Sequence, residues 1–198
     1  MTYTNNQTRK LVTLGVLSAL GTVLMLLEIP YPLAGFLAID LSDVVVLMVF
    51  VLFGWKEAAT VGALKAIVHV LFKGAVGPMA VGQIIAFVAS MAYVLGMWLT
   101  TVKFNLNKIL SGLFIVLLVT TLLTVGNYFI FTPMWFGKLW FTSLTGEELG
   151  YLGTSSGLNY LVTILTIYVP FNLIKGFVIV LVYNIMKVIL DEYLKYNN

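Results

Sequence analysis

An all-α bundle of six transmembrane helices, forming one domain over residues 1–198, is the fold this sequence predicts. Three observations predict it. Hydrophobic residues make up 61% of the chain and charged residues only 10%, with a mean hydropathy of +1.03, a balance foreign to water-soluble domains. The apolar residues form long runs: no charge lies between Leu149 and Ile174, and none between Gly176 and Met186. The basic residues gather in alternate connections, as the positive-inside rule requires of a multi-pass protein.

Taken in order, the first span is Leu11–Leu27, preceded by Arg9-Lys10 and followed by no small-x-small cleavage site, so it reads as a span rather than a signal peptide. Pro30 and Pro32 open a loop over Glu28–Ser42 that carries Asp40, with Asp43 just beyond it. The second span, Val44–Trp55, is short, and Lys56-Glu57 make a tight turn after it. The third, Ala58–Phe72, is weakened by Lys65 and His69, and the two together could instead form a re-entrant pair. The fourth runs from Met79 to about Val102 after a glycine-rich approach containing Pro78; the fifth covers Ile109–Phe131. A long connection, Thr132–Gly157, leads to the sixth, Leu158–Leu190, which Pro170 could kink.

With both termini cytoplasmic, seven basic residues lie inside and two outside, Lys65 and Lys175 falling within spans; Glu28, Asp40, Asp43, Glu147 and Glu148 lie outside. This predicts a multi-pass protein of the cell membrane, in contact with lipid, with the longer loops outside. The formal charge of +3 gives no reason to invoke nucleic acid, and the absence of cysteine excludes disulfides and thiol chemistry.

The most informative stretch is Tyr168–Val180, apolar but interrupted by Pro170, Asn172 and Lys175. A lysine at a helix centre costs roughly 2.5–3.5 kcal/mol on insertion scales, so it must face protein or a polar cavity. Asn172, three residues earlier, shares its face. Lys175 is either tied to an inward carboxylate or part of a polar ligand site, and the second reading is the one favoured here. Gln83, Asn127-Tyr128 and Asn172 put polar groups on three spans at one depth near the outer side, which suggests a pocket. The loop Tyr31–Asp40 is too apolar to stand exposed and is the natural lid over it.

Other features admit two readings. Lys65, His69 and Lys73 fall on one helical face, read as structural rather than ligand-binding, and the lone histidine predicts no metal site. Gly15, Ser18, Ala19 and Thr22 form a small-residue stripe on the first span, fit for packing against the protein's own helices or against a partner's. Gly82, Ala86 and Ser90 make a second stripe, read as internal. No phosphate-binding Gly-x-x-x-x-Gly-Lys-Ser/Thr loop, intramembrane carboxylate pair, HExxH motif or Ser/His/Asp set is visible, and the halves show no inverted repeat. These absences predict a chain that is not an enzyme and cannot hydrolyse ATP itself.

The order of features completes the reading. A basic N-terminus and small-residue first span precede Ile39-Asp-Leu-Ser-Asp43, Phe53-Gly54, Asn127-Tyr-Phe and Pro170-Phe-Asn-Leu-Ile-Lys-Gly176. Over nearly its whole length the chain resembles the substrate-binding S components of energy-coupling factor (ECF) vitamin transporters, specifically the riboflavin-specific ones. The resemblance implies that riboflavin is bound from outside as a transported ligand rather than a cofactor. It also implies a transmembrane coupling subunit and two cytoplasmic ATPases as partners, with Gly15-x-x-x-Ala19 as the nearest match to the family's Ala-x-x-x-Ala motif. Lys175 would then donate to ribityl hydroxyls, and Asp40, at the end of the lid, would count among the substrate-binding residues. Phe36, Leu41 and Met79 would face the flavin ring, and Asn127 or backbone groups of the loop its uracil-like edge. An S component for another vitamin, a membrane enzyme and a structural subunit are the competing classes.

Overall fold

A computed structural model of the chain describes residues 2–135 and 157–196, with side chains for 7–135 and 160–189. Among the described residues there are six helices of 12 residues or more and one β-hairpin. Helix α1 covers Thr2–Leu26; strands β1 (Ile29–Tyr31) and β2 (Ala34–Ile39) follow. Helices α2 (Ser42–Phe53), α3 (Trp55–Lys73), α4 (Val81–Trp98), α5 (Lys108–Gly126) and α6 (Gly157–Tyr196) complete the bundle. A π-helical turn, Leu99–Lys103, extends α4, and another, Asn127–Phe131, carries α5 on into a last turn at Thr132–Trp135.

Four of these helices are long and apolar enough to cross a bilayer: Gln7–Leu26, Pro78–Lys103, Lys108–Trp135 and Tyr160–Ile189. They match the first, fourth, fifth and sixth sequence runs. Helix α6 stays one helix with Pro170 inside it. The second and third runs differ from the others for a physical reason. Helix α2 has 12 residues, about 18 Å at 1.5 Å per residue, well short of a hydrocarbon core of roughly 30 Å. It is nonetheless the centre of the bundle: Val44, Val45, Val46, Leu47 and Val49 are all buried, because α1, α3, α4 and α6 pack around it. A helix apolar on every side belongs in such a position.

The hairpin is the main departure from the expected loop. Ile29 pairs with Ile39 and Pro30 with Ala38, the register then shifts, and Tyr31 meets Ala34 across the exposed Pro32-Leu33 turn. Tyr31 and Ala34 are buried with Phe171 of α6, and the Tyr31 and Phe171 rings meet edge-on at 5.3 Å. The apolar character that made this stretch unsuited to solvent is thus spent on packing against α6.

Between α2 and α3 the turn is made by Gly54 at φ +98, and Lys56-Glu57 lie in the first turn of α3 rather than forming the turn. Lys10 of α1 pairs with Glu57 at one end of the bundle, and Lys73 of α3 with Glu28 at the other. Helices α1 and α3 therefore run parallel and in register. Exposed apolar side chains such as Leu11, Val16, Leu71, Leu113, Leu117 and Phe177 coat the outside, the surface a lipid-embedded bundle requires.

Candidate functional site

Beneath the hairpin, among α3, α4, α5 and α6, lies a cavity of about 230 Å³. Its polar lining is Asp40, His69, Gln83, Asn127, Asn172 and Lys175. Interspersed with these is an aromatic and aliphatic lining, with Phe36 and Leu37 from β2, Phe131 and Trp135 from the end of α5, and Tyr168 and Phe171 from α6.

Helical periodicity explains α6's share, since Tyr168, Phe171, Asn172 and Lys175 recur at steps of three and four on one face. On α5 the π turn contributes. It widens the helix where Asn127 and Phe131 both turn inward, a placement π-helical turns often serve at functional sites. A hydrogen bond of 2.8 Å from Thr132 Oγ1 to the Tyr168 hydroxyl ties this segment to α6. Gly77, at φ +75, lets the approach to α4 lie flat on the Trp135 ring, where a Cβ would stand 2.9 Å from the ring carbons.

Lys175 has carboxylate partners after all. Its Nζ lies 2.9 Å from Asp40 Oδ2 and 3.3 Å from Asp43 Oδ2. Asp43 in turn pairs with Lys65 at 2.8 Å and accepts from Ser90 Oγ at 2.6 Å, while Ser42 bridges Asp40 and Lys65. Asp40 and Asp43, read from the sequence as lying outside, thus form a buried carboxylate pair neutralised by two lysines. Burial on its own would raise the Asp40 carboxyl, but the Lys175 and Lys65 ammonium groups and Ser42 outweigh it and hold Asp40 below the usual carboxylate range. Lys65 is fully buried and belongs to this network, whereas Lys175 and Asp40 also reach the cavity.

The remaining polar groups are held in place with capacity to spare. The Gln83 amide donates to Gly74 O (2.9 Å) and lies 3.0 Å from His69 Nδ1, while its Oε1 accepts from Val76 N. With both amide protons so directed, His69 Nδ1 accepts and Nε2 carries the ring proton. That buried Nε2 has no partner among the described residues. Asn127 Nδ2 donates to Leu123 O at 2.7 Å, and Asn172 Nδ2 approaches Thr124 Oγ1 at 3.5 Å. Neither amide oxygen has a protein donor among the described residues, so both remain available to a ligand.

Of the residues expected at the site, Phe36, Asp40, Gln83, Asn127, Asn172 and Lys175 come together here. Three do not. Met79 sits in the turn before α4 at φ 51 and is 75% exposed. Leu41 packs against the core around α2. Tyr128 meets the Tyr160 ring at a tilt, 5.1 Å between centres, and receives that residue's hydroxyl hydrogen on its own carbonyl. Conversely, His69, Phe131, Trp135, Tyr168 and Phe171 were not foreseen as cavity walls. The α6 pair could have been found from the face that Asn172 and Lys175 define.

The small-residue stripe divides in two. Ser18 and Thr22 are buried, each hydroxyl bonded to the carbonyl one turn back, whereas Gly15 and Ala19 are exposed. The second stripe is internal: Gly82 and Ala86 line the cavity and Ser90 binds Asp43.

A membrane-embedded helical bundle with a roofed cavity lined by both aromatic rings and amides defines a class: membrane proteins that hold a small polar-aromatic ligand. Residues 9–186 match the family described as "ECF transporter, substrate-specific component", and the chain belongs to that family. It is 30% identical over 193 residues, 94% of each chain, to the riboflavin transporter FmnP of Bacillus subtilis (strain 168). It is 30% identical over 194 residues, 96% of this chain and 94% of the relative, to the riboflavin transporter RibU of Staphylococcus aureus (strain TCH60). A structure described as the S component of a bacterial ECF transporter superposes with a TM-score of 0.73 at 26% identity, covering 96% of this chain and 99% of its own.

Proposed function

We propose that this chain is the riboflavin-binding subunit of an ECF-type uptake transporter, taking riboflavin from outside into the cavity beneath the hairpin. The pairing in one cavity of an aromatic wall with unsatisfied amide oxygens and an Asp–Lys pair carries this reading, and the two relatives named as riboflavin transporters support it. Phe36, Phe131, Trp135 and Tyr168 suit the faces of the flavin ring. The Asn127 and Asn172 amides suit its uracil-like edge, which alternates acceptor, donor and acceptor. Riboflavin is uncharged, so Lys175 is not a counter-ion. Held against Asp40, it offers a donor next to an acceptor, which is what the ribityl hydroxyls need. The cavity is smaller than the roughly 300–1,000 Å³ of typical ligand pockets, so the hairpin moves outward as the ligand enters and closes over it.

In this reading all six helices cross the membrane with both termini cytoplasmic, the hairpin completing the outer part of the path that the short α2 leaves open. The exposed Gly15 and Ala19 face receives a transmembrane coupling subunit, which links the protein to two cytoplasmic ATPases; Ser18 and Thr22 serve internal packing. The experiment is direct: protein purified from riboflavin-supplemented cells carries a flavin absorption spectrum. Protein that remains colourless and shows no saturable riboflavin binding overturns the proposal.

A further inference from the structure

A second cavity, about 340 Å³, opens at the other end of the bundle, between the π turn that ends α4, the start of α5 and the last part of α6. Its rim carries Lys108 and Lys187, and neither has a carboxylate partner among the described residues. Ser111, one turn into α5, lines it too, is more than nine-tenths buried, and its hydroxyl has no hydrogen-bond partner among the described residues. Two unneutralised cations with an unpaired hydroxyl lining the same cavity call for an anion with several acceptor oxygens. The start of α5 adds its positive dipole end to the same rim.

Deeper in, the chemistry changes. Ile115 and Val180 lie seven residues from Lys108 and Lys187, about 10 Å along the helices, and line an aliphatic floor. Val188, also in the wall, is 48% exposed on the outer surface, so the cavity is open to the lipid side. A water-soluble anion has no use for that floor or that opening. We propose that this cavity binds the phosphate-bearing headgroup of an anionic phospholipid, with an acyl chain leaving past Val188. The site is separate from the riboflavin cavity, and the inference does not depend on which vitamin is carried.

The test is native mass spectrometry of the purified full-length protein, offered phosphatidylglycerol or phosphatidylcholine in detergent. The wild type retains phosphatidylglycerol preferentially. A lysine near an anionic lipid contributes about fivefold, so Lys108→Gln loses about fivefold in retention and Lys108→Gln/Lys187→Gln about twenty-five-fold. Lys108→Arg/Lys187→Arg keeps it, as does Lys103→Gln, which alters a basic residue outside the cavity. Inorganic phosphate at millimolar concentration leaves the lipid bound. The proposal is overturned by unchanged retention in the glutamine variants, by displacement of the lipid by inorganic phosphate, or by a double variant that loses only a protein partner. Should the double variant fail to fold, the exposed Lys108→Gln decides alone: retention equal to wild type refutes the site.

Discussion

Replacing Lys175 by Met removes the cation that Asp40 and Asp43 share. Asp43 would keep Lys65 at 2.8 Å and Ser90 at 2.6 Å, while Asp40 would be left with Ser42 alone. Orphaning one half of a buried ion pair costs about 3–5 kcal/mol of stability. Losing one polar ligand contact costs about 1–3 kcal/mol, or about ten- to a hundredfold in affinity. The single variant mixes the two effects, so the informative comparison is with Asp40→Asn/Lys175→Met, which removes both charges together. Thermal unfolding in detergent should show a large fall in midpoint for Lys175→Met and recovery of most of it in the double variant. Riboflavin titrations by fluorescence quenching should show weakened binding in both, with the double variant at least about tenfold weaker than wild type. A double variant that binds like wild type would refute the reasoning, leaving the Asp40–Lys175 pair as a structural tie only.

Three further outcomes follow. Ala19→Trp, on the exposed face of α1, should leave riboflavin binding intact and abolish co-purification with the coupling subunit; loss of both on one preparation would assign that face to internal packing instead. Hydrogen exchange should slow on adding riboflavin within Ile29–Ile39 and not within Lys103–Lys108, and equal protection in both states would argue against a closing hairpin. Because Asp40 is held below the usual carboxylate range, its stabilisation is complete above that range and lost only as pH falls through the lowered value. The difference in unfolding midpoint between wild type and Asp40→Asn should therefore stay constant from roughly pH 5 to pH 8; a difference that shrinks across that window would show that Asp40 titrates within it.

Helices α1, α4, α5 and α6 were legible because each contains a long, largely apolar run, and lipid leaves such a run no alternative to helix. Helices α2 and α3 were harder because their charges are explained by groups distant in sequence. Lys65 meets Asp43 across 22 positions and Lys175 meets Asp40 across 135, pairings no local spacing reveals. The hairpin was missed since Pro32-Leu33 lacks the Asn-Gly or Asp-Gly pattern of the favoured two-residue turns, although its apolar content did announce that it covers something. At the site, Asn127, Asn172 and Lys175 stood out as polar groups in apolar runs. The aromatic wall did not, because Tyr168 and Phe171 look like ordinary membrane residues until the face they share is known. Trp135 fell in the connection read as Thr132–Gly157, of which 136–156 lies outside the described residues. Met79 stands outside the cavity lining because it falls in the left-handed turn that ends before Val81, which a run of apolar residues does not disclose.

The central claim, that the cavity beneath the hairpin is a riboflavin site, is tested most directly by titrating the purified protein with riboflavin while following tryptophan fluorescence, since Trp135 lines that cavity. Riboflavin should quench saturably at one equivalent, thiamine and biotin should not, and Asn127→Leu and Asn172→Leu should each weaken binding by about tenfold or more while the protein stays folded. Quenching that persists unchanged in both leucine variants, or saturable binding of another vitamin in place of riboflavin, would contradict it.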